Sequence, residues 1–367
     1  MKAQPWQTGR IRICEERSPG APGFFPPVPG RKAEQAKTRK SECARYPGSA
    51  GMLSGLLLFF PAAGAGAASE HMLNPAGPVA ARIESIWWEM LAVYGAVYLI
   101  TLGILAWALA SRRRERPLPG SRFVLIAGFA IPMVILVVML LSAIYDTREL
   151  GRGEAGFRVN VTSHHWWFEV HYPEFGIVDA NEIHIPAGVM TEFELRSQAV
   201  VHSFWIPRLG GKKDMLPDHP TYLRLTADQA GEYRGTCTEY CAGPHALMAF
   251  RLIAHDPVEF EQWVRLRSRT PEEPADPVPA RGRRVFMQEG CMGCHALRGL
   301  SEKSVGPDLT HVGSRSTLGA GTIPNSEGAL GGWIANPQAI KPGNLMPRSF
   351  LAPDDLHALT TYLRSLP

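Results

Sequence analysis

"FRVNVTSHHWWFEVHY", residues 157–172, opens by alternating, with Phe157, Val159 and Val161 on one face and Arg158, Asn160 and Thr162 on the other. A period of two in β-branched and aromatic residues is the signature of a half-buried strand. The pattern returns in "NEIHIP", "TEFELRS", "TYLRLTAD", "GEYRGTC" and "MAFRLIAH", separated by Pro, Gly and Asp. Short strands at this spacing predict an all-β antiparallel sandwich or barrel over residues 150–256.

Upstream of the strands the composition turns apolar. Two runs, about 86–110 and 123–144, are each long enough to cross a bilayer. Between them "SRRRERPLPGSR" carries arginines that stay in the cytoplasm by the positive-inside rule. Residues 75–145 therefore read as a transmembrane hairpin with both ends outside, and the strands follow on the outer side. Before it, "MLSGLLLFFPAAGAGAASE" gives a short apolar run and an A-x-A pattern. Residues 52–68 are predicted to be a signal-like segment cleaved near Ala67 or Ala68. Residues 1–51 show no apolar periodicity and read as disordered or as an upstream non-native extension.

Downstream, "RTPEEPADPVPA" (269–280) is semi-extended and Pro-rich, and 257–280 is assigned as a linker. Extended as polyproline II, Pro271–Ala280 could reach about 30 Å and act as a tether. Residues 281–367 open on a helical "ARGRRVFMQEG". They close on "PDDLHALTTYLRSL", where Leu356, Leu359, Tyr362 and Leu363 share a face, so a small all-α domain is expected.

The formal net charge of +4 over 367 residues is unevenly placed. Residues 1–51 hold ten Lys/Arg against four Asp/Glu, which leaves the rest slightly acidic. No concentrated basic face is visible, so nucleic acid is not an expected partner. Six cysteines are few for a disulfide scaffold of this size. Four fall in tight pairs, Cys237/Cys241 and Cys291/Cys294, and read as cofactor ligands. Cys14 and Cys43 read as inert.

"CTEYCAGPHALM" (237–248) brings two thiols, an imidazole and a thioether into one short loop. A disulfide would use only the cysteines, and tetrahedral zinc has little use for methionine. Soft thiolate and thioether donors beside imidazole point to copper. "CMGCH" (291–295) has the spacing for thioether attachment of haem through Cys291 and Cys294, with His295 on the iron. A redox C-x-x-C would need a βαβ setting that this stretch lacks.

The last domain resembles a class I cytochrome c throughout, on "CMGCH", "GPDLTHVGSR" (306–315) and "NLMP" (344–347). That resemblance implies Met346 as the distal haem ligand and support of the proximal histidine by the carbonyl of Pro307. A Met/His axial pair suits electron transfer. "VHSFWIP" (201–207) followed by C-x-E-x-C-x-x-x-H-x-x-M, behind two membrane helices, closely resembles cytochrome c oxidase subunit II over roughly 75–255. With the fused domain, the resemblance is to the oxidase type that carries its own haem c. It implies a cupredoxin-like Greek-key sandwich holding a binuclear copper centre, CuA. Cys237 and Cys241 would bridge, His202 and His245 would each bind one copper, Met248 would complete one, and the carbonyl of Glu239 the other. "SHHWWFEVHY" (163–172) matches the family's aromatic segment, which makes Trp166 the residue where electrons enter. His164, His165 and His171 are expected to be ordinary surface or core histidines. Two departures stand out. "GGKKDMLPDHP" (210–220) has Asp218-His219 where the family reads Gly-Arg, and the second membrane helix starts without the glutamate that serves proton uptake in the mitochondrial branch. Glu89 is assigned no role there.

The resemblance implies the subunit through which electrons enter a proton-pumping cytochrome c oxidase of a bacterial inner membrane. Electrons would pass from cytochrome c to the chain's own haem c, then to CuA, then to the catalytic haem–copper subunit I, among other oxidase subunits. The copper and haem domains would lie on the periplasmic side, and oxygen would be reduced in the partner. The competing expectation is a membrane-anchored copper-delivery or redox-sensing protein.

Overall fold

The computed structural model describes residues 72–111, 120–150, 153–303 and 305–367. The signal-like run at 52–68, residues 1–51 with Cys14 and Cys43, and the arginines at 112–116 lie outside the described residues.

Two long helical segments come first. One is α1 (Pro78–Ala110). The other is built of α2 (Ser121–Leu125), a π-helical turn (Ile126–Ala130) and α3 (Ile131–Glu149). The turn sits before Pro132, which has no N–H to serve the carbonyl one helical turn back. Mean hydropathy reaches 1.9 and 3.0 in the two segments, and their apolar side chains are largely exposed. Apolar surface of that extent is stable in a bilayer, not in water.

Both segments run past their predicted ends at 86 and 144, because hydropathy marks where side chains turn polar and not where the backbone ladder stops. The extra turns clasp each other: Arg82 Nε donates to buried Asp146 Oδ1 at 3.0 Å. They also seat the hairpin on the next domain. Ala76 N donates to Arg208 O at 2.7 Å and Asp228 N to Ala76 O at 2.9 Å. A Cβ on Gly77 would lie 2.1 Å from Thr226 O, so only glycine permits this approach.

The sandwich follows. Its strands are β1 (Phe157–His164), β2 (Trp167–Tyr172), β3 (Ile177–Ala180), β4 (Glu182–Pro186), β5 (Thr191–Ser197), β6 (His202–Phe204), β7 (Lys213–Met215), β8 (Thr221–Leu225), β9 (Gly231–Thr236) and β10 (Ala249–His255). Five form a sheet in the order β3-β2-β1-β5-β8, three a sheet β4-β10-β9, and β6 pairs with β7. Phe168, Phe193, Phe204 and Phe250 fill the core, with Phe204 and Phe250 stacked at 4.5 Å between centroids. The fold is a cupredoxin-like sandwich, but its pairing is not purely antiparallel. β1 runs parallel to β5, and β4 parallel to β10. Alternation tells which face a residue takes and says nothing about strand direction.

The predicted linker over 257–280 needs correction. Residues Pro257–Arg267 form helix α4. Phe260 and Trp263, three apart, both turn inward. Phe260 meets Phe157 edge-on at 5.2 Å and Trp263 meets Tyr172 at 5.0 Å. The polar positions between them, Glu261 and Gln262, and the prolines beyond disguise an amphipathic helix. Trp263→Ala should therefore destabilise the sandwich by about 3–5 kcal/mol, the usual cost of removing a buried aromatic. Thermal unfolding of the full chain checks this, and an unchanged midpoint would make α4 an incidental contact.

The last domain begins at α5 (Pro277–Gln288), a turn earlier than expected, because Pro is well placed in the first turn of a helix. It continues through a short hairpin, β11 (Thr317–Leu318) and β12 (Ile323–Pro324), then α6 (Glu327–Ala335), α7 (Pro337–Ile340) and α8 (Pro353–Ser365). α5 crosses α8 so closely that a Cβ on Gly282 would lie 2.0 Å from Ala358 O. Leu359, Tyr362 and Leu363 are buried at this crossing and Leu356 packs partly against the same core.

The helical domain is docked on the sandwich, so the tether expected from Pro271–Ala280 does not hold it at a distance. Arg315 pairs with Asp179 at 2.7 Å, and both are buried. Ser316 N donates to Glu182 Oε1 at 2.7 Å, and Ala249 N to Ala320 O at 3.0 Å. Arg267 Nη1 donates to Pro367 O at 3.1 Å. Ala320 packs with Trp167 and Ala180 in a small apolar cluster across the same seam.

Candidate metal centre and cofactor cavity

The loop from Cys237 to Met248 joins β9 to β10, and Cys237 N donates to Met248 O at 3.0 Å, pinching its ends together. Ala242 and Gly243 take positive φ, which turns the chain back toward His245. β6 brings His202 in from the side. Ser203 ties the two halves: its Oγ lies 2.8 Å from Thr238 Oγ1 and accepts from Thr238 N at 2.7 Å. Ser203 neighbours His202 and Thr238 neighbours Cys237, so this clasp sets the distance between imidazole and thiol.

Cys237 Sγ and Cys241 Sγ lie 3.9 Å apart, and both are free thiols. His202 Nδ1 is 3.8 Å from Cys237 Sγ, His245 Nδ1 is 3.4 Å from Cys241 Sγ, and Met248 Sδ is 4.0 Å from Cys241 Sγ. The carbonyl of Glu239 lies 3.3 Å from Cys237 Sγ, while its carboxylate turns out to Lys212 Nζ at 2.7 Å. The expected donors thus gather around the two sulfurs, His202 and the Glu239 carbonyl at Cys237 and His245 and Met248 at Cys241. His202, Cys237 and Cys241 offer donor atoms within 4.8 Å of one another and are buried.

This donor set fits copper. Burial, with the neighbouring imidazoles, pushes His202 down to about 4, so it is neutral with a lone pair to give. Burial, then the adjacent Cys237, pushes the Cys241 thiol up to about 12, so the metal must displace protons to bind. The soft sulfurs favour copper over harder cations. The remaining histidines stand outside the donor set. His164 stacks on Trp167, and His165 lies 5.9 Å from His202 between ring centroids.

In the helical domain, Cys291 and Cys294 sit on a 3₁₀ turn at the rim of a cavity that His295 and Met346 also line. His295 Nδ1 lies 2.8 Å from Pro307 O, to which it donates, leaving the other ring nitrogen for a metal. A Cβ on Gly306 would come within 2.6 Å of the His295 ring, so the ring is held flat against the backbone. Phe286, Leu318, Ile334 and Leu363 give the cavity apolar walls. Paired thiols, a histidine held by a carbonyl and a thioether around an apolar slot fit a haem.

Trp166 stands between the two sites. Its indole Nε1 donates to Cys241 O at 2.8 Å, and a Cβ on Gly243 would lie 2.2 Å from its ring. The same residue lines the cavity of the helical domain. Lys341, at the end of α7, reaches the same place and donates to Trp166 O and Gly319 O, each at 2.8 Å. Burial pushes its ammonium down to about 7. Neither Lys341 nor the Ser203–Thr238 clasp is visible in the sequence. A lysine in "AIKPG" reads as a solvated side chain, and Ser203 is marked only by its place beside His202.

A sulfur-rich donor set in a cupredoxin sandwich, a haem-type cavity beside it and an apolar hairpin define a membrane-anchored electron carrier. The family model for cytochrome c matches residues 279–367, and that for the periplasmic domain of cytochrome c oxidase subunit II matches 175–254. The cytochrome c oxidase subunit 2 of Alkalihalophilus pseudofirmus is 34% identical, the match covering 80% of this chain and 90% of the relative. That of Bacillus sp. strain PS3 is 31% identical over 67% of this chain and 75% of the relative. The crystal structure of the periplasmic domain of subunit II of cytochrome oxidase of Bradyrhizobium japonicum is also similar. There the identity is 22% and the TM-score 0.31, covering 31% of this chain and 95% of that one. The chain belongs to the cytochrome c oxidase subunit 2 family and carries a C-terminal cytochrome c domain. It is an oxidase subunit whose part is to take in electrons, and the two family models imply copper in one domain and haem in the other.

Proposed function

We propose that this subunit takes electrons from an external cytochrome c onto its own covalently bound haem c. From there they pass to a binuclear copper centre and on to the catalytic haem–copper subunit of an oxidase in a bacterial inner membrane. Cys291 and Cys294 would hold the haem covalently, with His295 and Met346 as axial ligands. Cys237 and Cys241 would bridge two coppers, with His202, His245, Met248 and the Glu239 carbonyl as terminal ligands. When bound, the copper pair and the haem supply one-electron redox capacity with little change of geometry.

The chain's own residues do the rest. Trp166, whose indole bonds the Cys241 carbonyl and which also lines the haem-type cavity, carries this reading. In the family resemblance that tryptophan meets an incoming cytochrome. Here the chain's own cytochrome domain is docked on it, which makes the domain the relay. The burial of Cys237, Cys241 and Met248 keeps water from the sulfurs. A copper-delivery protein would need an accessible metal site and has no use for a second cavity aligned through one indole.

An absorption spectrum of the purified chain tests the proposal. It should show a c-type haem and, after subtraction of the haem, near-infrared absorption from a mixed-valence copper pair. A haem-free protein, or copper bound singly, would overturn it.

A further inference from the structure

Lys341 is 2% exposed, and lysine is almost never buried so deeply without an ionic partner. Among the described residues no carboxylate pairs with it: its ammonium donates to the carbonyls of Trp166 and Gly319, and the Cys241 thiol is the one ionisable group that acts on it. An ammonium has three protons to donate, and these two bonds use two. Lys341 lines the cavity that Cys291, Cys294, His295 and Met346 also line. A buried cation without a counter-ion is costly, and the cost falls once an anion is supplied. A haem carries two carboxylates. Arg315, the other cation at this cavity, is already paired with Asp179 of the sandwich.

We propose that the Lys341 ammonium is the counter-ion of a haem carboxylate, and that it ties that carboxylate through Trp166 to the copper-type site. The inference rests on the haem reading of the cavity. It makes Lys341 a positioning residue with two jobs. Its charge holds the haem in the more reducible range, and its bond to the Trp166 carbonyl holds the indole that bonds Cys241. Docking of the two domains would then be coupled to haem loading, because the haem supplies the charge that makes a buried lysine affordable at the seam.

Two variants of the full haem-loaded chain separate this from a packing role. Lys341→Gln keeps donors for the two carbonyls and loses the charge, while Lys341→Arg keeps the charge and changes the shape. At a fixed poised potential, the ratio of oxidised to reduced haem should rise about tenfold in Lys341→Gln, the order expected for losing one buried charge. In Lys341→Arg it should stay near the parent value. An unchanged ratio in haem-loaded Lys341→Gln, or equal shifts in both variants, would overturn the proposal. Should neither variant fold, the parent protein grown with ¹³C-labelled haem carboxylates decides it by infrared spectroscopy. Both carboxylates should be ionised at neutral pH, and a protonated carbonyl band there would sink the idea. Loss of the c-type spectrum from the parent protein would instead refute the haem reading itself.

Discussion

Cys237→Ser should abolish the paired copper signature and with it electron delivery through this subunit. Cys237 Sγ is the sulfur that three other donors converge on: Cys241 Sγ at 3.9 Å, His202 Nδ1 at 3.8 Å and the Glu239 carbonyl at 3.3 Å. A serine hydroxyl is a hard donor that does not ionise under these conditions, so it cannot replace a thiolate shared by soft metal ions. The fold should survive, since the Cys237 N to Met248 O bond belongs to the backbone and the change in volume is small. Met248→Ala is the contrasting case. The thioether lies at the edge of the set, 4.0 Å from Cys241 Sγ, and its loss should shift the copper potential while leaving two coppers bound. Metal analysis and near-infrared absorption on the two variants measure both outcomes. A Cys237→Ser protein that kept two coppers and an unchanged spectrum would show that the ligand set is wrong.

How much of this was legible beforehand depends on the length scale of each feature. The strands were readable because a buried face imposes its period on contiguous residues, as in Phe157, Val159 and Val161. The loop 237–248 was readable because its donors lie within twelve residues of each other. Parallel pairing of β1 with β5 was not, since the same alternation serves either direction. Helix α4 is hidden in the sequence because its inward face is narrow, Phe260 and Trp263 set among charged residues and followed by prolines. The docked seam was the least legible part. Arg315 and Asp179 are 136 residues apart, and Lys341 and Trp166 are 175 apart. Nothing local distinguishes such residues from solvated ones, because their burial is created by two domains meeting.

That seam carries the second large effect. Asp179→Ala should release the cytochrome domain from the sandwich. Asp179 is fully buried and its Oδ1 accepts from Arg315 Nε at 2.8 Å, so the substitution strands Arg315 without a counter-ion. Breaking a buried pair on one side costs about 3–5 kcal/mol, or roughly two to three and a half decades in the docking equilibrium. Spin labels on the two domains should then report a broad distance distribution in place of a narrow one. Asp179→Ala with Arg315→Met should recover much of the docking, since an apolar pair leaves no stranded charge. Salt should matter little for the parent, because a buried pair is screened far less than surface charge.

Acid should matter more. Burial by itself would raise the Asp179 carboxyl, but Arg315 and Arg267 outweigh it and hold it below the ordinary range. Burial pushes His184 down to about 3 and His311 to about 4, against 6.5 in the unfolded chain. Below about pH 6.5 the unfolded chain therefore binds protons that the folded one refuses. Stability present above that pH is lost as it falls toward 4, by up to about 1.4 kcal/mol per pH unit for each histidine. The carboxylate's contribution follows at lower pH still, once the unfolded chain's own carboxyls begin to protonate. Chemical unfolding of the full chain from pH 7 to pH 4 checks the slope. A flat profile would mean that neither histidine is held neutral in the folded protein, and a narrow label-to-label distance distribution in Asp179→Ala would mean that the ion pair is not what holds the domains together.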